Sequence, residues 1–352
     1  MSYTDKESIL ALGQIDPELK AFLEKANLPP PDYSDLTDFK AMVDKRNEDA
    51  MKALGQPPPG VKQSELQYPT QDGTKLRAKL YQPTNPPSSG SPLIVVYHGG
   101  GFCIGAPEGE EQTCRNFVQA FGAVCISASY RLAPDFKFPY APKDAWDCLK
   151  WAAANAKSWG ADPSKGFVIG GTSAGGNITA VLAHVARDEK LSPPLTGQYL
   201  AIPAVLPEKK VPAQYQQYAL SYEQNRNAPV LPVAAIDMFM RAYQPDEDDG
   251  VWYAAFNHPK GHKDLPPALF QVDGMDPLRD EALIYERVLR EEYGVKTKLY
   301  VYPGLPHGHW GFFPFLKGSE KFRKEQVEGM AWLLGREADF TNVLTAAVAA
   351  GV

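Results

Sequence analysis

Two short segments of this chain bring together residue types suited to acyl transfer. Gly171-Thr172-Ser173-Ala174-Gly175 is a G-x-S-x-G pentapeptide. It follows the apolar run Phe167-Val168-Ile169 and opens onto 177–187, which reads as a helix. A strand-to-helix turn this sharp needs small residues around its serine. It lifts the hydroxyl above a sheet, near the positive end of the following helix. The second segment, His98-Gly99-Gly100-Gly101, directly follows the apolar run Leu93–Tyr97. Glycines let the backbone approach a substrate and aim amide N–H groups at a developing oxyanion. Either motif alone could be a plain turn. Together, 75 positions apart, they point to a serine nucleophile and its oxyanion donors.

Such a serine needs a base and an orienting acid, in the chain order Ser, Asp/Glu, His. After Leu269–Val272 comes Asp273-Gly274-Met275-Asp276-Pro277-Leu278-Arg279-Asp280. After Lys298–Tyr302 comes Pro303-Gly304-Leu305-Pro306-His307-Gly308-His309. Both loops leave strand ends, where a carboxylate can fix the tautomer of an imidazole facing the serine. Spacing leaves Asp273, Asp276 and Asp280 open, although Asp280 falls in a helix, where it would cap or face solvent. Spacing does not separate His307 from His309 either. His98 reads as a hydrogen-bonding residue that shapes the glycine turn, and His184 as a packed mid-helix residue. His258 and His262 lie in a Pro/Gly loop, so their i,i+4 spacing is not that of a helical metal site.

The elements that must hold these loops follow from hydrophobic patterning. Strands are predicted at 65–68 and 76–81, around the turn Asp72-Gly73, and at 93–97, 123–128, 167–169, 199–204, 269–272 and 298–302. Helices are predicted at 144–156, 177–187, 279–293 and 320–334. Strands alternating with helices make an α/β fold with a mainly parallel sheet covered on both faces. Residues 1–54 read as helical. Asp16-Pro17-Glu18 starts one helix, the run Leu28-Pro29-Pro30-Pro31 breaks it, and a second spans 35–53. Residues 207–250 interrupt the alternation with proline and tyrosine and one predicted helix at 233–243.

Composition bounds the function. The 352 residues are 44% apolar and 22% charged, which excludes a disordered or collagen-like chain. Proline, at 32 residues, is about 9% of the chain against a usual ~5%. The net charge of −6, with no long basic run, lacks the cationic face that nucleic-acid binding needs. Cys103, Cys114, Cys125 and Cys148 form no C-x-x-C pair and read as buried free thiols. No apolar run matches a signal-peptide core or approaches a ~20-residue membrane span, so the expected location is cytoplasmic.

From about Leu93 to the terminal helix, the chain resembles the hormone-sensitive lipase-like branch of the α/β-hydrolases. The segments that carry the resemblance are His98–Phe102, Tyr130-Arg131-Leu132-Ala133-Pro134, Gly171–Asn177, Asp276–Asp280 and the His307-Gly308 loop. The resemblance implies an eight-stranded α/β-hydrolase sheet with flanking helices and a helical cap. It makes Ser173 the nucleophile, Asp276 the acid and His307 the base. The backbone N–H groups of Gly99, Gly100 and Ala174 would form the oxyanion hole. The family's histidine stands in an H-G-F context, which selects His307 and puts His309 in the place of the phenylalanine. Thr172 stands where many members carry aspartate.

The resemblance also assigns the extra length. Residues 1–55 and 207–250 would form the cap over a core of 56–206 and 251–352. Phe22, Tyr33, Tyr215, Tyr218, Phe239, Met240 and Tyr243 are then candidate pocket walls, with Phe102 and Cys103 at the floor. The implied activity is carboxylic ester hydrolysis through an acyl-enzyme, on small esters with short to medium acyl chains or an aromatic group. It needs no metal or organic cofactor. An amidase, deacetylase or lactonase on the same residues, or a non-catalytic receptor of the same fold, is the alternative. Activity should rise as an imidazole of ordinary pKa, ~6.5, loses its proton. Family members often pair through a sheet edge, so a homodimer is expected.

Overall fold

In the computed structural model, which describes residues 3, 5–26 and 32–345, eight strands form one sheet. The break expected at Pro29–Pro31 lies outside the described residues. The strands are β1 (Val61–Pro69), β2 (Lys75–Pro83), β3 (Leu93–Tyr97), β4 (Val124–Ala128), β5 (Phe167–Thr172), β6 (Gly197–Ala201), β7 (Ala268–Asp273) and β8 (Thr297–Tyr302). Their order across the sheet is β1-β2-β4-β3-β5-β6-β7-β8. β1 pairs antiparallel with β2, and β2 with β4; every later pairing is parallel. The helices are α1 (Lys6–Ala11), α2 (Pro17–Ala26), α3 (Leu36–Leu54), α4 (Glu111–Phe121), α5 (Tyr140–Asn155), α6 (Ala174–Asp188), α7 (Ser221–Gln224), α8 (Val233–Tyr243), α9 (Arg279–Glu291), α10 (His309–Phe312) and α11 (Lys317–Leu334).

The central strands are mostly apolar because both faces are covered, and every residue of β3, β4 and β7 is buried. Alternation then divides each strand between two cores. Leu93, Val95 and Tyr97 join the core built with Leu149 of α5, Ile178 and Leu182 of α6, and Ile284 of α9. Ile94 and Val96 join the opposite core with Phe117 of α4 and Val327 and Met330 of α11. The four cysteines are buried and free. No described helix is long and apolar enough to cross a membrane.

Among the boundaries that differ from the hydrophobic pattern, two have a plain backbone cause. α5 begins at Tyr140 rather than at residue 144, with Pro142 inside its first turn. The missing N–H of a proline costs nothing there, because first-turn N–H groups have no helical partner. β6 ends at Ala201 rather than at 204, since Ile202 takes a positive φ of 42° and Pro203 has no donor for the ladder. Near the N-terminus, the Asp16 side chain accepts from Glu18 N at 2.8 Å and Leu19 N at 3.1 Å, which caps α2 at Pro17. The Asp35 side chain caps α3 by accepting from Thr37 N at 2.6 Å. The carboxyl ends of β3, β5, β7 and β8 lead into the glycine turn, the serine turn and the Asp and His loops. That edge is where an open parallel sheet binds its ligand.

Candidate active site

Ser173 joins β5 to α6 with φ 57° and ψ −114°. A non-glycine residue held there stores about 1–3 kcal/mol of strain that the surroundings must offset. Close packing explains the flanking glycines. A Cβ on Gly171 would lie 2.3 Å from Gly175 O, and one on Gly175 would lie 2.0 Å from Tyr97 O. β3, β5 and α6 therefore meet at a point where only hydrogen fits. Ser173 N donates to Ala201 O at 2.8 Å, so the turn is tied to β6 as well.

His307 Nε2 lies 2.9 Å from Ser173 Oγ, and its Nδ1 lies 2.7 Å from Asp276 Oδ2. Asp276 Oδ1 accepts from Leu278 N at 2.9 Å, which fixes the carboxylate's orientation. Asp276 and His307 are both buried. Such a line can pass the serine proton to an imidazole whose other nitrogen is held by a carboxylate.

The other candidates form a separate pair. His309 Nδ1 is 3.0 Å from Asp273 Oδ1, and both side chains are fully buried. Asp273 Oδ2 accepts from Gly308 N at 3.0 Å, next to His307 in the chain. Burial pushes the Asp273 carboxyl up, while His309 pulls it down. Asp280 corrects an expectation: it lies in α9 but neither caps that helix nor faces solvent. Its Oδ2 accepts from Leu220 N and Ser221 N, each at 2.7 Å, and Arg279 pairs with it. Segment 219–221 lies against the start of α9, so this carboxylate meets N–H groups that no strand or helix satisfies.

The glycine turn is equally constrained. Gly100 has φ 116°, and a Cβ there would lie 2.2 Å from Ile104 O. Among the described residues, the N–H groups of Gly99, Gly100 and Ala174 donate to no protein acceptor. They remain free for a developing charge beside Ser173. His98 is buried and stacks on Tyr130 at 4.3 Å, while Tyr130 Oη donates to His98 O at 2.8 Å. Burial depresses His98 to about 4, which suits a neutral scaffold residue.

Glu110 carried no signal in the sequence. It is buried and lines the cavity beside Thr172 and Ser173. Burial pushes its carboxyl up to about 7, against hydrogen bonds from Thr172 and Thr113 that favour the ionised form.

Ser173 and His307 open into a cavity of about 790 Å³. Phe39, Val43 and Arg46 of α3, Ile236, Phe239 and Met240 of α8, and Phe102 supply much of its wall. Two expected wall residues are corrections: Tyr215 and Tyr218 do not line this cavity. Tyr215 packs on Phe256 and its hydroxyl donates to Glu292, while Arg287 of α9 stacks over the Tyr218 ring at 4.0 Å. Both rings are taken up by α9 and its C-terminal end. Phe22, Tyr33, Cys103 and Tyr243 are also outside the lining. Phe22 packs on Phe313 and Phe315, Tyr33 on Phe39, and Tyr243 stacks behind Phe102 at 4.1 Å.

Three histidines that looked unrelated meet behind α6. His184 Nε2 lies 2.9 Å from His262 Nδ1, and His184 stacks on His258 at 4.5 Å. His184 Nδ1 lies 2.8 Å from Ala180 O, so the ring nitrogens of His184 are already engaged. Among the described residues, no group of three His, Cys, Asp or Glu side chains is arranged to hold a metal ion.

The family model Abhydrolase_3, alpha/beta hydrolase fold, matches residues 94–311. The chain is 35% identical over 334 residues to the AB hydrolase superfamily protein B1A11.02 of Schizosaccharomyces pombe, covering 95% of this chain and 97% of that one. It is 35% identical over 242 residues to the esterase LipI of Mycobacterium tuberculosis, covering 68% and 71%. Among solved structures, a vibralactone cyclase superposes with a TM-score of 0.84 at 32% identity, covering 95% of this chain and 98% of that one. With its eight-stranded sheet and serine turn, the chain belongs to the Abhydrolase_3 family of α/β-hydrolase fold enzymes, in the hormone-sensitive lipase-like carboxylesterase group, and is a carboxylic ester hydrolase.

Proposed function

We propose that the protein hydrolyses small carboxylic esters at Ser173 through an acyl-enzyme. The observation that carries this reading is the line Ser173–His307–Asp276, with distances of 2.9 and 2.7 Å, opening beside three free backbone N–H groups. His307 takes the Ser173 proton as Oγ attacks the ester carbonyl, and Asp276 stabilises the imidazolium that forms. Gly99, Gly100 and Ala174 donate to the oxyanion of the tetrahedral intermediate. The intermediate collapses as His307 protonates the departing alcohol oxygen, leaving an ester on Ser173. Water, deprotonated by His307, attacks that ester, and the acid leaves as Ser173 recovers its proton.

Residues 1–55 and 207–250 act as the cap over the core of 56–206 and 251–352. The contact of Phe39 with Phe239, rings 5.9 Å apart, supports this division, because it joins α3 to α8 above the glycine turn. Phe102 and Phe239 serve as substrate-contacting walls. A cavity of this size with aromatic walls suits short or medium acyl chains and aromatic alcohols. β8, at the sheet edge and only partly buried over Thr297–Val301, is the surface for a homodimer, testable by light scattering.

The test is a p-nitrophenyl ester series from acetyl to palmitoyl beside matched p-nitroanilides. Ester turnover peaking at short or medium chains, well above anilide turnover, is the expected result. Faster anilide turnover would make the protein an amidase.

The likeness to a vibralactone cyclase favours one second reading, in which a hydroxyl of the substrate captures the acyl group in place of water. Product analysis after incubation with a hydroxy ester distinguishes ring closure from hydrolysis.

A further inference from the structure

α3 distributes its charges unevenly. Lys40 pairs with Asp44 at 3.2 Å, Lys52 with Asp49 at 3.7 Å, and Lys45 with Asp49 as well. These are exposed pairs at helical spacing. Phe39, Val43 and Arg46 follow one another at steps of four and three, which places them on a single face. That face lines the cavity that holds Ser173. An apolar stripe would be the usual solution there, yet its third member is a cation.

Arg46 has little to hold it. Its Nη1 is buried without a hydrogen-bond partner among the described residues, and its Nη2 donates to Asn47 Oδ1 at 3.2 Å. The guanidinium lies 3.5 Å from the centre of the Phe312 ring, at the end of α10 just after His307. No described carboxylate lies within 4.0 Å of it. The buried Arg115, Arg279 and Arg323 and the half-buried Arg131 are matched. Arg115 pairs with Glu111, Arg131 with Asp144 at 2.6 Å, and Arg279 with Asp280 at 2.6 Å. Arg323 donates to the carbonyls of Thr345, Trp310 and Pro314. Burial depresses Arg46 to about 10, which leaves it cationic at neutral pH but poorly solvated. A half-buried guanidinium whose Nη1 has no partner is costly to keep unpaired and can donate to a carboxylate.

We infer that Arg46 recognises an anionic group on the substrate, so that the preferred ester carries a carboxylate in its acyl or its alcohol part. This rests on the esterase reading above and narrows its substrate class. Phe312 covers the guanidinium from one side, and the substrate carboxylate takes the unpaired Nη1.

The experiment compares matched charged and neutral esters. p-Nitrophenyl hemiglutarate and its methyl ester place the charge in the acyl part. 4-Acetoxybenzoate and its methyl ester place it in the alcohol part. The ratio of kcat/KM for charged over neutral should fall by about 10- to 100-fold in Arg46→Met for one of the two pairs, the range expected for losing a hydrogen bond to a charged group. Arg46→Lys should fall between, since it keeps the charge and loses the fork. Whichever pair responds identifies the side of the ester that carries the anion. Ratios unchanged in both pairs and both variants would overturn the inference and leave Arg46 as a latch between α3 and Phe312.

A binding arm separates this from failure of the esterase reading. In Ser173→Ala, calorimetry with monomethyl glutarate and with benzoate reads Arg46 without turnover. Affinity for one of them that weakens tenfold or more on adding Arg46→Met supports anion recognition even if no ester is cleaved. Equal affinity for both ligands with and without Arg46 contradicts it.

Discussion

The candidate site contains two buried His–Asp pairs, and their different neighbours separate their roles. Only His307 reaches Ser173 Oγ; His309 is sealed between Tyr302, Trp310 and Phe322. Asp276→Asn should therefore lower kcat by about 10⁴, the loss known when a triad aspartate becomes an amide. Asp273→Asn acts only through the loop at Gly308 and should cost about tenfold or less in kcat. Single-turnover kinetics on a p-nitrophenyl ester separates the two, and equal losses would remove the distinction drawn between the pairs. Glu110 makes a second prediction. Its buried carboxyl titrates at about 7, above the usual carboxylate range, so the unfolded chain loses this proton first as pH rises. Its contribution to stability thus falls between pH ~4.5 and ~7. Glu110→Gln should gain in Tm relative to the parent protein from pH 5 to pH 8, read by a pair of melting curves.

At the scale of elements, α6 is the axis of the site: it begins beside Ser173 and is pinned further along by the three histidines. Burial lowers His184, His258 and His262, with His262 at about 4. The unfolded chain binds those protons near pH ~6.5, so the cluster's contribution to stability is complete above that and drains away as pH falls toward 4. Histidine 262 replaced by phenylalanine, His262→Phe, should flatten the acid limb of Tm against pH; an unchanged slope would show that the cluster does not govern it. How legible such features are depends on how local their cause is. β3, Leu93-Ile94-Val95-Val96-Tyr97, is readable because a strand buried on both faces tends to be apolar residue after residue. The serine and glycine turns are readable because close packing at Gly171, Gly175 and Gly100 admits no side chain. The histidine cluster was hidden, since His184 and His262 meet across 78 residues with no periodicity to announce it. The placement of Tyr215 and Tyr218 is not legible for a related reason: a tyrosine-rich segment reveals ring content but not which way a ring turns. The burial of Asp280 is not legible because the backbone N–H groups it accepts from belong to a segment far away in the chain.

For the whole molecule, the proline-rich lengths outside the α/β alternation supply α3 and the segment around α8, whose walls bound the cavity. The enclosed volume predicts that kcat/KM on p-nitrophenyl esters falls by about tenfold or more between butyryl and palmitoyl chains. A rate that keeps climbing with chain length would place the acyl group outside this cavity. The central claim, however, is that Ser173 is the nucleophile, and active-site labelling reaches it most directly. A fluorophosphonate should modify the folded protein at one site, peptide mapping should place the adduct on Ser173, and His307→Ala should slow its formation. Labelling elsewhere, or none on Ser173 in folded protein, would contradict the account.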